Sequence, residues 1–139
     1  MKGFGWGNSY SSLYPLVGNN APDSASSQVT YEKGQQFMQF LLQTLDSEQD
    51  MQEFLGFYLG KYEYQSITFL EARLAFNEFV RNKYGARAQS IIDKVDWIAW
   101  VQTPGPIPAN SGINFETPNT IAFNKLADDY IALNGFSSP

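Results

Sequence analysis

From Thr30 onward, apolar residues recur at intervals of three and four, the period of one face of a helix. Phe37, Phe40, Leu41 and Leu45 form a first run. Met51, Phe54, Leu55, Tyr58 and Leu59 form a second, and Leu70, Leu74, Phe76, Phe79 and Val80 a third. The residues between the runs are helix punctuation. Thr30 reads as an N-cap, and Asp46-Ser47 as a break. Ser47 with Asp50, and Thr68 with Glu71, have capping-box spacing, and Gly85 is a C-terminal stop. A shorter helix is predicted over Ala86 to Asp93. One or two turns follow, capped by Asp96 and carrying Trp97, Ile98, Trp100 and Val101. Thr117-Pro118 reads as an N-cap with proline at the first helical position. It opens a last helix to about Asn134, with Ala122, Leu126, Tyr130 and Leu133 on one face and Gly135 as its stop. No pair of alternating segments suggests strands, so the predicted class is all-α.

Two stretches break this pattern. Residues 1–30 are rich in Gly, Ser, Asn and Pro and show no clear period; a short helical turn fits Ser11 to Tyr14, and Asn19 to Asp23 has loop chemistry. Thr103-Pro104-Gly105-Pro106-Ile107-Pro108 cannot continue a helix and favours extended backbone. It is the best linker candidate in the chain. The helix after it has little within the chain to pack against.

Composition narrows the chemistry. Aromatic residues make up 16% of the 139 residues, which argues for a packed core rather than disorder. The net charge is −5 and no Lys/Arg cluster is present, which argues against nucleic-acid partners and anionic membranes. No apolar run approaches the roughly 20 residues that span a bilayer, and residues 1–10 lack the apolar core of a signal peptide. A cytoplasmic location is expected. There is neither histidine nor cysteine. That removes Ser-His-Asp and Cys-His catalysis and the usual zinc ligands from this chain. Carboxylates remain, without EF-hand spacing.

Val29-Thr30-Tyr31-Glu32-Lys33-Gly34 resembles the Tyr-Glu-Lys-Gly motif of leukotriene A(4) hydrolase and its zinc aminopeptidase relatives. Further blocks follow in the same order. Phe54-Leu55-Gly56-Phe57-Tyr58 and Tyr64-Gln65-Ser66-Ile67-Thr68 resemble the family's helix and connector. Val95-Asp96-Trp97-Ile98-Ala99-Trp100 and Thr103 to Pro108 resemble its tryptophan turn and Pro-rich link, and Gly5-Trp6-Gly7 the stretch after its zinc helices.

The resemblance implies the helical second half of a thermolysin-like catalytic domain plus the first helix of a C-terminal helical domain. The implied boundaries are 1–102 for the catalytic part, 103–116 for the link and 117–139 for the start of the last domain. The family's His-Glu-x-x-His would precede Met1. Zinc is thus implied for a complete enzyme, and none is expected in this chain alone.

The resemblance also implies that Tyr31 stabilises the oxyanion formed from a peptide substrate, and that Asp23 lies in the substrate pocket. From the residues alone, Tyr31 reads as a partly buried tyrosine near a helix start, and Asp23 as an Asx turn after Pro22. Ser26 stands where leukotriene-hydrolysing members carry a second tyrosine, which argues against epoxide hydrolysis. Trp97 and Trp100, three apart, read as core against the link rather than as a sugar platform. Two functions stay open. One is a fragment or truncated relative of a zinc metalloaminopeptidase, inactive by itself. The other is a non-enzymatic helical interaction module that self-associates through exposed apolar faces.

Overall fold

The computed structural model describes residues 7–21, 23, 27–113 and 117–134. Among these there are helices and turns and no strand, as the all-α expectation requires. A 3-10 turn at Ser9–Ser11 precedes α1 (Val29–Leu45), α2 (Glu48–Tyr62) and α3 (Phe69–Tyr84). A second 3-10 turn (Gly85–Arg87) leads into the short α4 (Ala88–Ile92). A π-helical turn at Ile98–Gln102 follows, and α5 covers Pro118–Asn134. In sequence order, α2 packs on α1, α3 on α2, and α4 on α3.

Local chemistry fixes most of the helix ends. Ser47 Oγ accepts from the Asp50 N–H at 3.1 Å. Thr68 and Glu71 form a reciprocal capping box. Asp46 leaves α1 in the left-handed region, with φ 55°. Gly85, with φ 54°, caps α3 and returns its N–H to the Arg81 carbonyl. Thr117 Oγ1 accepts from Thr120 N–H at 3.1 Å, with Pro118 at the first helical position. The start of α1 differs from expectation. Gln28 is its N-cap without a side-chain bond, and the Thr30 hydroxyl donates instead to the Ser27 carbonyl at 3.0 Å. The turn foreseen at Ser11 to Tyr14 begins two residues earlier, and Gly135 lies outside the described residues.

The core is a continuous aromatic string. Phe40 meets Trp100, Trp100 meets Phe37, and Phe37 meets Trp97 edge-on at 5.2 Å. Trp97 meets Phe76, and Phe54 meets both Phe76 and Phe79. Pairs in this range add about 0.5–1.5 kcal/mol beyond their burial. The two tryptophans are therefore core, packed on α1 and α3. Their turn is set by Asp96, whose Oδ1 accepts from the N–H groups of Ile98 (3.1 Å) and Ala99 (3.0 Å). Leu59, Leu70 and Leu74, grouped by period with the core faces, are exposed instead. The core sides of α2 and α3 are set by Met51 and Phe54 and by Ala75, Phe76, Phe79 and Val80.

Candidate functional site: the start of α1 and the Pro-rich link

Tyr31 sits in the first turn of α1, its N–H bonded to the Gln28 carbonyl at 3.0 Å. Its side chain is 78% exposed, and among the described residues its hydroxyl meets no partner. It is thus not the partly buried tyrosine that its position near a helix start suggests. A phenol donates a hydrogen bond at neutral pH, so this hydroxyl is free to meet an acceptor brought from outside. Met38, two turns further along the same stripe, is exposed as well. This face of α1 is open. Asp23 is also exposed. No contact joins it to Tyr31 among the described interactions.

Lys33, two residues after Tyr31, points the other way, since two residues turn a helix by about 200°. It is only 3% exposed. Its Nζ donates to the Thr103 carbonyl at 2.7 Å and to the Gly105 carbonyl at 3.3 Å. Burial lowers its pKa, and among the described residues no carboxylate is bonded to it. Among the described residues only main-chain oxygens meet this ammonium, a costly arrangement unless the acceptors are held in place.

They are held from the other side. The Gly105 N–H donates to Ser11 Oγ at 2.8 Å, and Ser11 Oγ donates to the Asn8 carbonyl. The Tyr14 N–H donates to the Val101 carbonyl at 3.0 Å, and the Ser27 hydroxyl to the Tyr10 carbonyl. Three segments distant in sequence (8–14, 27–33 and 101–105) thus meet at one buried polar node beneath the Tyr31 turn. The Pro-rich run is a packed element here. Its Gly105 is buried, with φ 103°, a conformation that favours glycine.

A cavity of about 540 Å³ lies at the end of α2, lined by Tyr58, Leu59, Tyr62, Glu63, Tyr64 and Ile67. It has one carboxylate and no nucleophile–base pair. Among the described residues, no group of three or more Asp, Glu, His or Cys could hold a metal ion. No helix among them is long and apolar enough to cross a membrane. The sequence marked Tyr31 and Asp23 and passed over Lys33, whose acceptors are carbonyls 70 and 72 residues away.

No protein-family model matches the chain. Curated relatives do. Leucine aminopeptidase 2 of Aspergillus clavatus is 27% identical over 137 residues, which is 99% of this chain. Leukotriene A-4 hydrolase of Xenopus laevis is 32% identical over 105 residues, 76% of this chain. Leucine aminopeptidase 2 of Kluyveromyces lactis is 33% identical over 112 residues, 81% of this chain. The chain spans only 15% to 21% of the length of these relatives. Two names recur across fungi and a vertebrate. The chain belongs to the leukotriene A-4 hydrolase and leucine aminopeptidase 2 family.

Proposed function

We propose that this chain is a segment of a metalloaminopeptidase that hydrolyses N-terminal peptide bonds, with Tyr31 as oxyanion donor and Asp23 as a substrate-binding carboxylate. The carrying observation is the agreement with a leucine aminopeptidase over 99% of the chain. The unengaged Tyr31 hydroxyl agrees with it. Water gives a proton to a general base supplied by chain outside this segment and adds to the carbonyl of the first peptide bond; negative charge gathers on the carbonyl oxygen until the C–N bond breaks and the amine leaves with that proton. The Tyr31 phenol donates a hydrogen bond to that oxygen, an interaction that typically lowers the barrier by about 3–4 kcal/mol.

Zinc belongs to this reading for a complete enzyme, but the residues present do not make a zinc site. The chain has no His and no Cys, and no three of its described carboxylates group so as to hold a metal ion. The metal ligands must then come from chain outside this segment. The same reading divides the segment into a catalytic part (1–102), a link (103–116) and the start of a helical domain (117–139). It includes a cytoplasmic location.

The test has two arms. The pure chain with added zinc should release no nitroaniline from leucine nitroanilide. Grafted in place of the matching stretch of the Aspergillus clavatus leucine aminopeptidase 2, it should support hydrolysis. A folded, zinc-loaded graft that stays inactive would overturn the proposal.

A second reading is a non-enzymatic helical module that pairs with itself. The exposed Phe123, Leu126, Tyr130 and Leu133 of α5 support it, because their 3-4-3 spacing forms one apolar stripe. Sedimentation that gives a monomer at every concentration would remove it.

A further inference from the structure

The peptidase reading gives a role to Tyr31 and none to the buried cation beside it. We propose that Lys33 is a positioning residue, which holds the first turn of α1 on the Pro-rich link and so fixes where Tyr31 presents its hydroxyl. The inference rests on the reading of Tyr31 as oxyanion donor, but its geometry stands apart from it. Lys33 is a charged side chain with 3% exposure. Its bonds at 2.7 and 3.3 Å go to carbonyls of the link. Gly105, one of the two acceptors, is fixed by Ser11 through its own N–H at 2.8 Å. The ammonium is thus the tie between the link, the Ser11 turn and the helix start. Tyr31 is two residues away on the opposite side of that helix, so a shift of the turn moves the phenol with it.

A hydrophobic side chain of similar length tests this, because Lys33→Met keeps the stem and removes the donors. In this chain, hydrogen exchange should quicken about tenfold at the amides of Tyr14, Tyr31, Glu32 and Gly105, and stay unchanged in the middle of α2 and α3. Unchanged exchange at the node would overturn the tie. In the Aspergillus clavatus graft, Lys33→Met should lower kcat about tenfold to a hundredfold while KM stays within about twofold. The same substitution made on Tyr31→Phe should cost nothing further. Equal losses on both backgrounds would overturn the positioning role. If Tyr31→Phe alone keeps full kcat, the reading of Tyr31 fails, while the exchange result still decides the tie. Ser11→Ala, which loosens the node without a substitution in α1, guards against a Lys33→Met protein that does not fold. It should show the same pattern at smaller size, and its absence in a folded Ser11→Ala protein would count against the proposal.

Discussion

Tyr64 occupies the third position of the turn Tyr62–Gln65, closed by the Gln65 N–H on the Tyr62 carbonyl at 3.0 Å. Its φ is 58°, where glycine or asparagine is the usual residue, and its side chain is fully exposed. Tyr64→Gly should therefore raise stability by about 0.5–1 kcal/mol, the relieved left-handed strain exceeding the entropy of the added glycine. Urea denaturation measures it, and a loss of stability would mean that the ring has a partner. The ion network at the ends of α2 and α3 gives a second prediction. The Tyr84 hydroxyl and the Lys83 ammonium both bond Asp50, and Lys83 also bonds Glu53 at 2.6 Å. These bonds hold both carboxyls below their ordinary pKa, the Tyr84 bond acting first on Asp50 and the Lys83 bond first on Glu53. Depressed carboxyl pKa values stabilise the fold above the unfolded values, about 3.9 and 4.3, and the benefit fades as pH falls through the folded ones. The denaturation midpoint should then drop between about pH 5 and pH 3, and drop less in Asp50→Asn. The same drop in both would exclude Asp50 as its source. Tyr31 was singled out in the sequence because of the motif it shares with Lys33, but the role of Lys33 itself could not be read there. Its acceptors are main-chain carbonyls across the fold, which carry no side-chain signature.

Helix α3 shows how closely punctuation specifies an element. Thr68 N–H and Oγ both reach the Glu71 carboxylate, at 2.7 and 3.0 Å, while Thr68 Oγ accepts from the Glu71 amide. Thr68→Ala should cost about 1 kcal/mol, read as a shift of the denaturation midpoint. A change under about 0.3 kcal/mol would show that the tertiary contacts of α3 alone set its start. The spacing Ser47–Asp50, Thr68–Glu71 and Thr117–Pro118 located three helix starts correctly. It failed at Thr30 because the Ser27 carbonyl draws the hydroxyl backward. The burial of Leu70 and Leu74 was overestimated for a different reason. Period alone marks a wide apolar face, and only the partner helices decide which part of it is covered. The tryptophan turn was foreseen, whereas its π-helical winding, closed by the Thr103 N–H on Ile98, was not.

At the scale of the whole molecule, two parts carry different weight. The aromatic string from Phe40 to Phe79 ties α1, α2, α3 and the tryptophan turn together, with Trp100 only 1% exposed. Trp100→Ala should cost about 3–5 kcal/mol. Helix α5 instead leaves Ile121, Phe123, Leu126, Tyr130 and Leu133 exposed. Removal of residues 117–139 should change the stability of the rest by less than about 0.5 kcal/mol. A larger loss would mean that α5 supports the core. The apolar positions of α5 were plain in the sequence, which offered that helix at most one short partner within the chain. The central claim is that Tyr31 serves peptide hydrolysis, and kcat of the Aspergillus clavatus graft with Tyr31→Phe tests it most directly. Loss of the hydroxyl should lower kcat by about a hundredfold to a thousandfold with KM nearly unchanged. An unaltered kcat would contradict the assignment of Tyr31.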